Sequence, residues 1–189
     1  MSLTKIDSNC ALVVIDLQKG IVAAQTVHPS GEIVDRSGQL ARAFRNKRLP
    51  VVLVNVAGRA PGRTDAVVPQ LSLPPDWTDL VPGLDQQPGD HRVTKKCWGA
   101  FLGTTLDEYL RGRGVTQIVL TGIATSIGVE STARSAYDLG YNVTLVLDAM
   151  TDRDAEAHRL TVEKIFPKLG ETTTTAEVIT LLNASHGAR

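Results

Sequence analysis

Two charged side chains are placed where strands or extended segments end. The apolar segment Ala11–Leu17 carries Asp16 near its end, and the segment VTKKCWGAF presents Lys95 after a short extended piece. A carboxylate next to buried strand residues is unfavourable unless it is paired or takes part in chemistry. Only the fold could join Asp16 to Lys95, because they are far apart in the chain. An aspartate that caps a loop and a solvent-exposed lysine remain the alternative interpretations.

The segment TGIATSIGVESTARSAYDLGY predicts a strand that ends near Ile123 and a helix that begins around Ser126. Ser126 could cap this helix, so that its first N–H groups, including that of Gly128, face open space. Unpaired N–H groups at a helix start can bind an anion or a developing oxyanion. Alternatively, Gly128 only permits close packing between helix and sheet.

The elements that would position these residues alternate between strands and helices. Continuous apolar segments are typical of parallel strands covered on both faces. Four such strands are predicted: Ala11–Leu17, Pro50–Ala57, Gln117–Ile123 and Asn142–Ala149. Helices are predicted at Ile33–Leu49, Thr104–Arg113, Val129–Leu139, Ala155–Phe166 (closed by Pro167) and Ala176–Leu182. The alternation favours an open, doubly wound α/β fold with helices on both faces of a mainly parallel sheet.

Ligands of such sheets bind beyond the carboxyl ends of the strands. Residues 58–92 interrupt the alternation and hold six of the nine prolines. A segment of this length without periodicity is often a functional loop over a site. The alternative is a surface loop that has no functional role.

Length, composition and charge exclude several classes of protein. The chain has 189 residues, which predicts a single domain over 1–189. Lys+Arg and Asp+Glu are both 20, so nucleic-acid binding is not expected. No apolar segment is long enough for a membrane span, and no signal peptide is visible, so we expect a cytoplasmic protein that does not bind membranes.

Motifs for cofactors are missing from the sequence. Neither nucleotide-binding fingerprint is present, and there is no GxSxG elbow. The four histidines are scattered, and Cys10 and Cys97 lack the spacing of a metal site. We therefore expect no cofactor and no metal.

The segments VVIDLQ, KKCWGAF followed by GTTLDEYL, and TGIATSIGVESTARSAYDLGY followed by DA together resemble the isochorismatase-like hydrolase family. The resemblance extends from about residue 10 to residue 183 and is greatest for a bacterial subgroup with WGAF and TSIGVESTAR motifs. It implies a Rossmann-like, three-layer α/β fold and a homo-oligomer.

Many members of that family are cysteine hydrolases in which an Asp and a Lys activate a Cys nucleophile. The resemblance assigns these two roles to Asp16 and Lys95, and the nucleophile position to Gly128. Neither cysteine lies in the matching motif, so cysteine-acyl chemistry is not supported. The metal-binding Asp-x-His of nicotinamidases is also absent from VNVAGR.

True isochorismatases, which hydrolyse a vinyl ether and release pyruvate, also have glycine at this position. In this respect the sequence is similar to theirs. The resemblance then implies that Asp16 protonates the vinyl carbon and that water attacks the resulting cation. It also implies a cis peptide at Ile123–Ala124, with the N–H groups of Ala124 and Gly128 as anion donors. A general acid needs a raised pKa; burial would raise the pKa of Asp16 and Lys95 would lower it.

The expected function is therefore cofactor-free hydrolysis of a small organic molecule. Three alternatives remain: an amide or ester hydrolase that activates water, a non-catalytic binding protein on the same fold, and hydrolysis with Ser126 as a substitute nucleophile. Arg63 could bind a substrate carboxylate, although a solvated loop arginine is the simpler interpretation. Trp98 and Phe101 could form a wall of the pocket or belong to the core.

Overall fold

Six parallel strands form one sheet in the order β3-β2-β1-β4-β5-β6 in a computed structural model that describes residues 3–65 and 73–185. The strands are β1 (Cys10–Ile15), β2 (Val51–Val56), β3 (His91–Lys95), β4 (Gln117–Ile123), β5 (Asn142–Thr151) and β6 (Glu171–Thr173). The predicted fold class is confirmed. The strands β1, β2 and β3 follow one another outward from the centre of the sheet, and β4 then lies on the other side of β1. The carboxyl ends of β1 and β4 are therefore at the switch point of the topology, where ligands bind in such sheets.

Helices cover both faces of the sheet. They are α1 (Lys19–Val22), α2 (Ser30–Asn46), α3 (Leu106–Gly112), α4 (Glu130–Asp138), α5 (Ala155–Leu160), α6 (Phe166–Leu169) and α7 (Thr175–Ser185). A 3₁₀ turn spans Pro82–Leu84, and single π-helical turns span Thr125–Val129 and Thr161–Ile165. Buried residues of α2 and α7 pack on one face, and those of α3, α4 and α6 pack on the other.

The central strands are buried along their whole length, which explains why their sequences are continuously apolar. Every residue of β1 and β4 is buried. Successive side chains of β1 enter opposite cores, with Val13 and Ile15 in one hydrophobic cluster and Leu12 and Val14 in the other. This is the alternation expected of a strand between two helical layers.

Two strands and one helix end differ from the sequence-based expectations. The strands β3 and β6 at the edges of the sheet were not predicted, because β3 alternates between buried and exposed residues and β6 has only three residues. Pro167 does not close the helix that begins at Ala155, since it lies in the first turn of α6. A first-turn N–H needs no partner within the helix, so proline is tolerated there.

The described parts of the proline-rich segment pack against the end of β1 and α1. Gln18 forms an isolated antiparallel bridge with Leu80, and its side-chain amide donates to Val56 O and Trp77 O. The backbone of this segment thereby borders the carboxyl edge of the sheet. One of its prolines, Pro69, lies outside the described residues. Within residues 3–65 and 73–185, no helix is long and apolar enough to cross a membrane.

Gly122 allows β4 to approach β1 closely just before the functional loops begin. Its φ is +123°, and a Cβ at this position would lie 2.0 Å from Ile15 O. The obstruction is backbone, which cannot rotate away. No residue other than glycine is therefore compatible with this register.

We expect Gly122→Ala to lower the free energy of unfolding by about 2–4 kcal/mol, since the added methyl group forces the two central strands apart. Gly112→Ala is the matched control, because a Cβ there meets nothing within 4 Å, and it should change stability by less than about 1 kcal/mol in the favourable direction. Urea denaturation of both variants measures the difference. Equal stability of the two variants would contradict this account of Gly122.

Candidate active site

Asp16 and Lys95 form a buried ion pair across the carboxyl edge of the sheet. Asp16 follows β1, and Lys95 ends β3, so the lysine side chain reaches past β2 to its partner. Lys95 Nζ lies 2.8 Å from Asp16 Oδ2, and both side chains are almost fully buried. The fold thus brings together the two charged residues that the sequence singled out.

All three N–H groups of the Lys95 ammonium have an acceptor. Besides Asp16, Lys95 Nζ donates to Trp98 O at 2.7 Å and to Cys97 O at 3.2 Å. An ammonium has three donors and no acceptor, so this set satisfies it fully. Lys95 is therefore held in one orientation by protein atoms and fixes the loop that follows β3.

Asp16 is less well satisfied than its partner. Its Oδ1 is buried and has no hydrogen-bond partner among the described residues. Burial raises the pKa of Asp16 to about 6, and the Lys95 charge opposes this shift without cancelling it. Of the two effects that the sequence left open, desolvation is the larger, and the carboxyl group titrates close to neutral pH.

Gly128 faces this ion pair directly. It lies in the π-helical turn Thr125–Val129, between β4 and α4. A Cβ at Gly128 would lie 3.2 Å from Asp16 Oδ2, 3.6 Å from Lys95 Nζ and 2.9 Å from Ile15 Cγ2. A side chain at position 128 would therefore touch both charged groups and crowd Ile15, and glycine avoids these contacts.

The turn that carries Gly128 begins with the cis peptide Ile123–Ala124 that the resemblance implies. The N–H groups of Ile127 and Val129 both donate to Ala124 O, each at 3.1 Å. The prediction that Ser126 caps the helix is wrong. Its N–H and its Oγ both donate to Asp152 Oδ2, at 2.7 and 2.8 Å, so its hydroxyl points away from the helix N–H groups.

Asp152, which the sequence analysis did not single out, anchors this turn. It is buried and follows β5 directly, and its Oδ1 accepts from Arg153 N at 2.7 Å and Asp154 N at 3.4 Å. With the two bonds from Ser126, four donors satisfy the carboxylate. The sequence signal was weaker than for Asp16, since the predicted strand Asn142–Ala149 ends three residues before Asp152, whereas β5 extends to Thr151.

A cavity of about 260 Å³, here called the Asp16 cavity, lies over these groups. Of the predicted site residues, it is lined by Asp16, Lys95, Trp98, Ala124 and Gly128. It is also lined by three charged residues that the sequence analysis did not single out: Arg59, Asp152 and Arg153.

Three other candidates do not line the Asp16 cavity. Arg63 is exposed on its loop, and the arginines at the cavity are Arg59 and Arg153. Ser126 lies behind the cavity wall on Asp152. Phe101 belongs to the core, where its ring centroid is 5.9 Å from that of Tyr141, because it lies on the inner side of the loop that exposes Trp98.

Two histidines come together behind the Gly128 turn, although the sequence separates them. The rings of His28 and His158 meet edge to face at 5.0 Å, and His158 Nδ1 lies 2.9 Å from Thr125 Oγ1. No group of three or more His, Cys, Asp or Glu side chains in the described parts of the chain is arranged to hold a metal ion. Through Thr125, this pair of histidines contacts the turn that carries Gly128.

Comparison with known proteins gives consistent matches. The family model for the isochorismatase domain matches residues 10–177. The isochorismatase family protein YwoC of Bacillus subtilis is 45% identical over 178 residues, which are 89% of this chain and 92% of YwoC. A solved isochorismatase family protein from Burkholderia thailandensis, 45% identical, has a TM-score of 0.92 and covers 96% of this chain and 100% of its own. Streptothricin hydrolase of Streptomyces noursei is 36% identical over 149 residues, 78% of this chain and 51% of that protein.

The raised pKa of Asp16 makes stability depend on pH. The ordinary pKa of an aspartate is 3.8, and that of Asp16 is about 6 in the folded protein. Between these two values, the folded state therefore binds more protons than the unfolded state. The contribution of Asp16 to the free energy of unfolding is therefore present at low pH and lost as the pH rises through this window.

Asp16→Asn removes this titration. We expect the stability of the wild type relative to Asp16→Asn to fall by up to about 3 kcal/mol between pH 4 and pH 7. Urea unfolding of both proteins at several pH values measures this difference. A relative stability that is constant or rises with pH would contradict the raised pKa.

Proposed function

This chain belongs to the isochorismatase family, and we propose that it hydrolyses a small organic molecule by proton transfer at Asp16, without a covalent enzyme intermediate. The observation that carries the proposal is the state of the Asp16 carboxyl group. It lines the cavity, its Oδ1 has no partner among the described residues, and burial raises its pKa to about 6. A group with these properties is suited to general acid–base catalysis near neutral pH.

The arrangement of the site supports vinyl-ether hydrolysis as the reaction. Protonated Asp16 gives its proton to the terminal vinyl carbon, the π electrons form the new C–H bond, and the ether oxygen stabilises the cation. Water adds to the cationic carbon and returns a proton to the Asp16 carboxylate. The resulting hemiketal breaks its C–O bond to give an alcohol and a ketone, so no oxidant or cofactor enters the balance.

Lys95 acts in this scheme on Asp16 and not on the substrate. Its ammonium is occupied by Asp16 Oδ2 and two carbonyl oxygens. It therefore holds the carboxyl group of Asp16 in one position. Lys95 also keeps the pKa of Asp16 from rising further, because its positive charge favours the ionised form of the carboxyl group.

The cysteines of the chain support a water-based mechanism. Cys10 is fully buried, and desolvation raises the pKa of its thiol to about 12, so it carries no reactive thiolate. Cys97 lines the cavity, but its Sγ lies 3.3 Å from Gly99 O and 3.4 Å from Leu102 O, within the loop that follows β3. At position 128, to which the resemblance assigns the nucleophile, glycine supplies no side chain to Asp16.

A second candidate reaction is hydrolysis of an amide or ester, with the Asp16 carboxylate as the base that activates water. A pKa of about 6 leaves roughly nine-tenths of Asp16 ionised at pH 7. The two reactions need opposite protonation states of the same group, so pH dependence distinguishes them.

The test is pyruvate release from isochorismate by the purified protein. We expect turnover by the wild type and a loss of at least about 100-fold in kcat/KM for Asp16→Asn, since general acid catalysis contributes roughly 10²–10⁴-fold. Asp35→Asn, an exposed carboxylate on α2, removes the same charge and should retain activity. Equal loss in both variants would contradict the role of Asp16.

The pH profile of kcat/KM assigns the role of the carboxyl group. An acid gives a rate that falls as the pH rises through about 6, whereas a base gives a rate that rises through the same value. A rising limb with an amide or ester substrate would favour the second reaction. Ligand binding that is unchanged in Asp16→Asn, with no turnover of either class of substrate, would indicate a binding protein.

We expect Gly128→Ala to reduce kcat/KM by more than tenfold, because the methyl group would lie 3.2 Å from Asp16 Oδ2 and 2.9 Å from Ile15 Cγ2. The added carbon occupies the space beside the reacting carboxyl group and displaces β1. Steady-state kinetics measure the effect, and Gly112→Ala on α3 serves as the control. Full activity of Gly128→Ala would show that this space is not used.

A further inference from the structure

A second and larger cavity adjoins the Asp16 cavity. It measures about 630 Å³ and lies between the loop 59–64, the segment 97–102 and two residues of α4, Ser131 and Ser135. Here it is called the antechamber. Arg59, Cys97 and Trp98 line both cavities, so the two spaces share these side chains as a common wall.

The walls of the antechamber are chemically neutral. Ser135 Oγ donates to Ser131 O at 3.1 Å, as a helical serine does when its hydroxyl bonds to the preceding turn. The Cys97 Sγ contacts are made to backbone carbonyls of its own loop. Arg59 is the one charged side chain among the described residues that line the antechamber, and it lies at the junction.

A glycine brings the two sides of the antechamber together. A Cβ at Gly99 would lie 3.3 Å from Ser131 O, so the segment after β3 packs directly on α4. Ala100 N also donates to Thr132 Oγ1 at 3.1 Å. These contacts attach α4 to the loop that follows β3. The carbonyl oxygens of the same loop bind Lys95, so one loop contacts both the antechamber and the ion pair.

Two large apolar side chains stand at the antechamber without cover. Trp98 is 65% exposed and Leu102 is 77% exposed. Contiguous exposed apolar surface marks a site of interaction with a ligand, a membrane or another protein. Its position next to the Asp16 cavity indicates which ligand would cover it.

We propose that the antechamber binds an uncharged, apolar arm of the substrate while the reacting group of the same molecule lies beside Asp16. This inference rests on the proposed hydrolytic function. The Asp16 cavity alone, at about 260 Å³, is smaller than the usual range of ligand pockets, about 300–1,000 Å³. A substrate that fills both cavities is therefore larger than one compact acid and carries an aromatic or aliphatic substituent that stacks on Trp98.

The common wall of the two cavities favours a substrate arm over a second copy of the chain as the occupant. An arm enters from the Asp16 cavity along Arg59 and Trp98, and it need not bury any charge beyond the junction. It also gains its binding energy away from the reacting bond, where remote contacts can be used to orient the substrate.

The test compares two uncharged probes, acetamide and 2-naphthylacetamide, by isothermal titration calorimetry. Because neither probe is charged, the ionisation of Asp16 does not bias the comparison. We expect the naphthyl probe to bind at least tenfold tighter, equivalent to about 1.4 kcal/mol. In Ser135→Phe, which fills the antechamber from α4, the ratio of the two affinities should fall close to one.

Two further variants keep the result interpretable. Thr180→Phe on α7 is the matched control, since Thr180 is exposed and its hydroxyl likewise bonds to the preceding turn at Ala176 O; it should keep the preference. Leu102→Ser changes a side chain that is 77% exposed and leaves the core intact, and it should lower the preference at least threefold.

Equal binding of the two probes, or a preference that survives in both Ser135→Phe and Leu102→Ser, would overturn the proposal. So would sedimentation showing a dimer that Leu102→Ser dissociates, because a second copy would then cover the surface. Because the binding measurement needs no turnover, failure of the antechamber proposal can be distinguished from failure of the proposed function. An arm preference without hydrolysis contradicts only the proposed function, and Asp16-dependent hydrolysis without an arm preference contradicts only the antechamber.

Discussion

The buried ion pair between Asp16 and Lys95 is the constraint around which the site is arranged. Burying two charges is unfavourable unless their hydrogen bonds are completed by neighbouring groups. Here the completion is unequal: the Lys95 ammonium has three acceptors, whereas Asp16 Oδ1 has no partner among the described residues. The lysine is thereby fixed, and the unsatisfied half of the pair becomes the group whose pKa lies near neutrality.

The sheet supplies the positions that this pair requires. Asp16 and Lys95 come from strands separated by β2, so their contact depends on the parallel register of three strands. On the other side, Gly122 lets β4 approach β1, and Gly128 then faces the ion pair without a side chain. Asp152 at the end of β5 holds the turn between them through Ser126. The ends of β1, β3, β4 and β5 thus contribute residues to one site.

The sequence predicts the interior of this arrangement better than its rim. The strands β1, β2, β4 and β5 are recognisable because burial on both faces leaves a continuous apolar pattern. Edge strand β3 alternates in burial and was missed for that reason, although Lys95 at its end was found. Arg63 could not be told from Arg59, because a loop without periodicity gives no rule for which side chain faces a cavity. Ser126 was misassigned because its partner, Asp152, is distant in sequence.

Glycine at position 128 changes what the rest of the site must do. In the proposed mechanism the attacking group is water, so no covalent bond holds the substrate while the reaction proceeds. Orientation then depends on non-covalent contacts, which raise the rate when they are made away from the reacting bond and are used to position it. Lys95 cannot supply them, because its donors are occupied. Under the antechamber proposal, part of this orientation comes from the walls beyond Arg59 and Trp98, where an uncharged surface adjoins the Asp16 cavity.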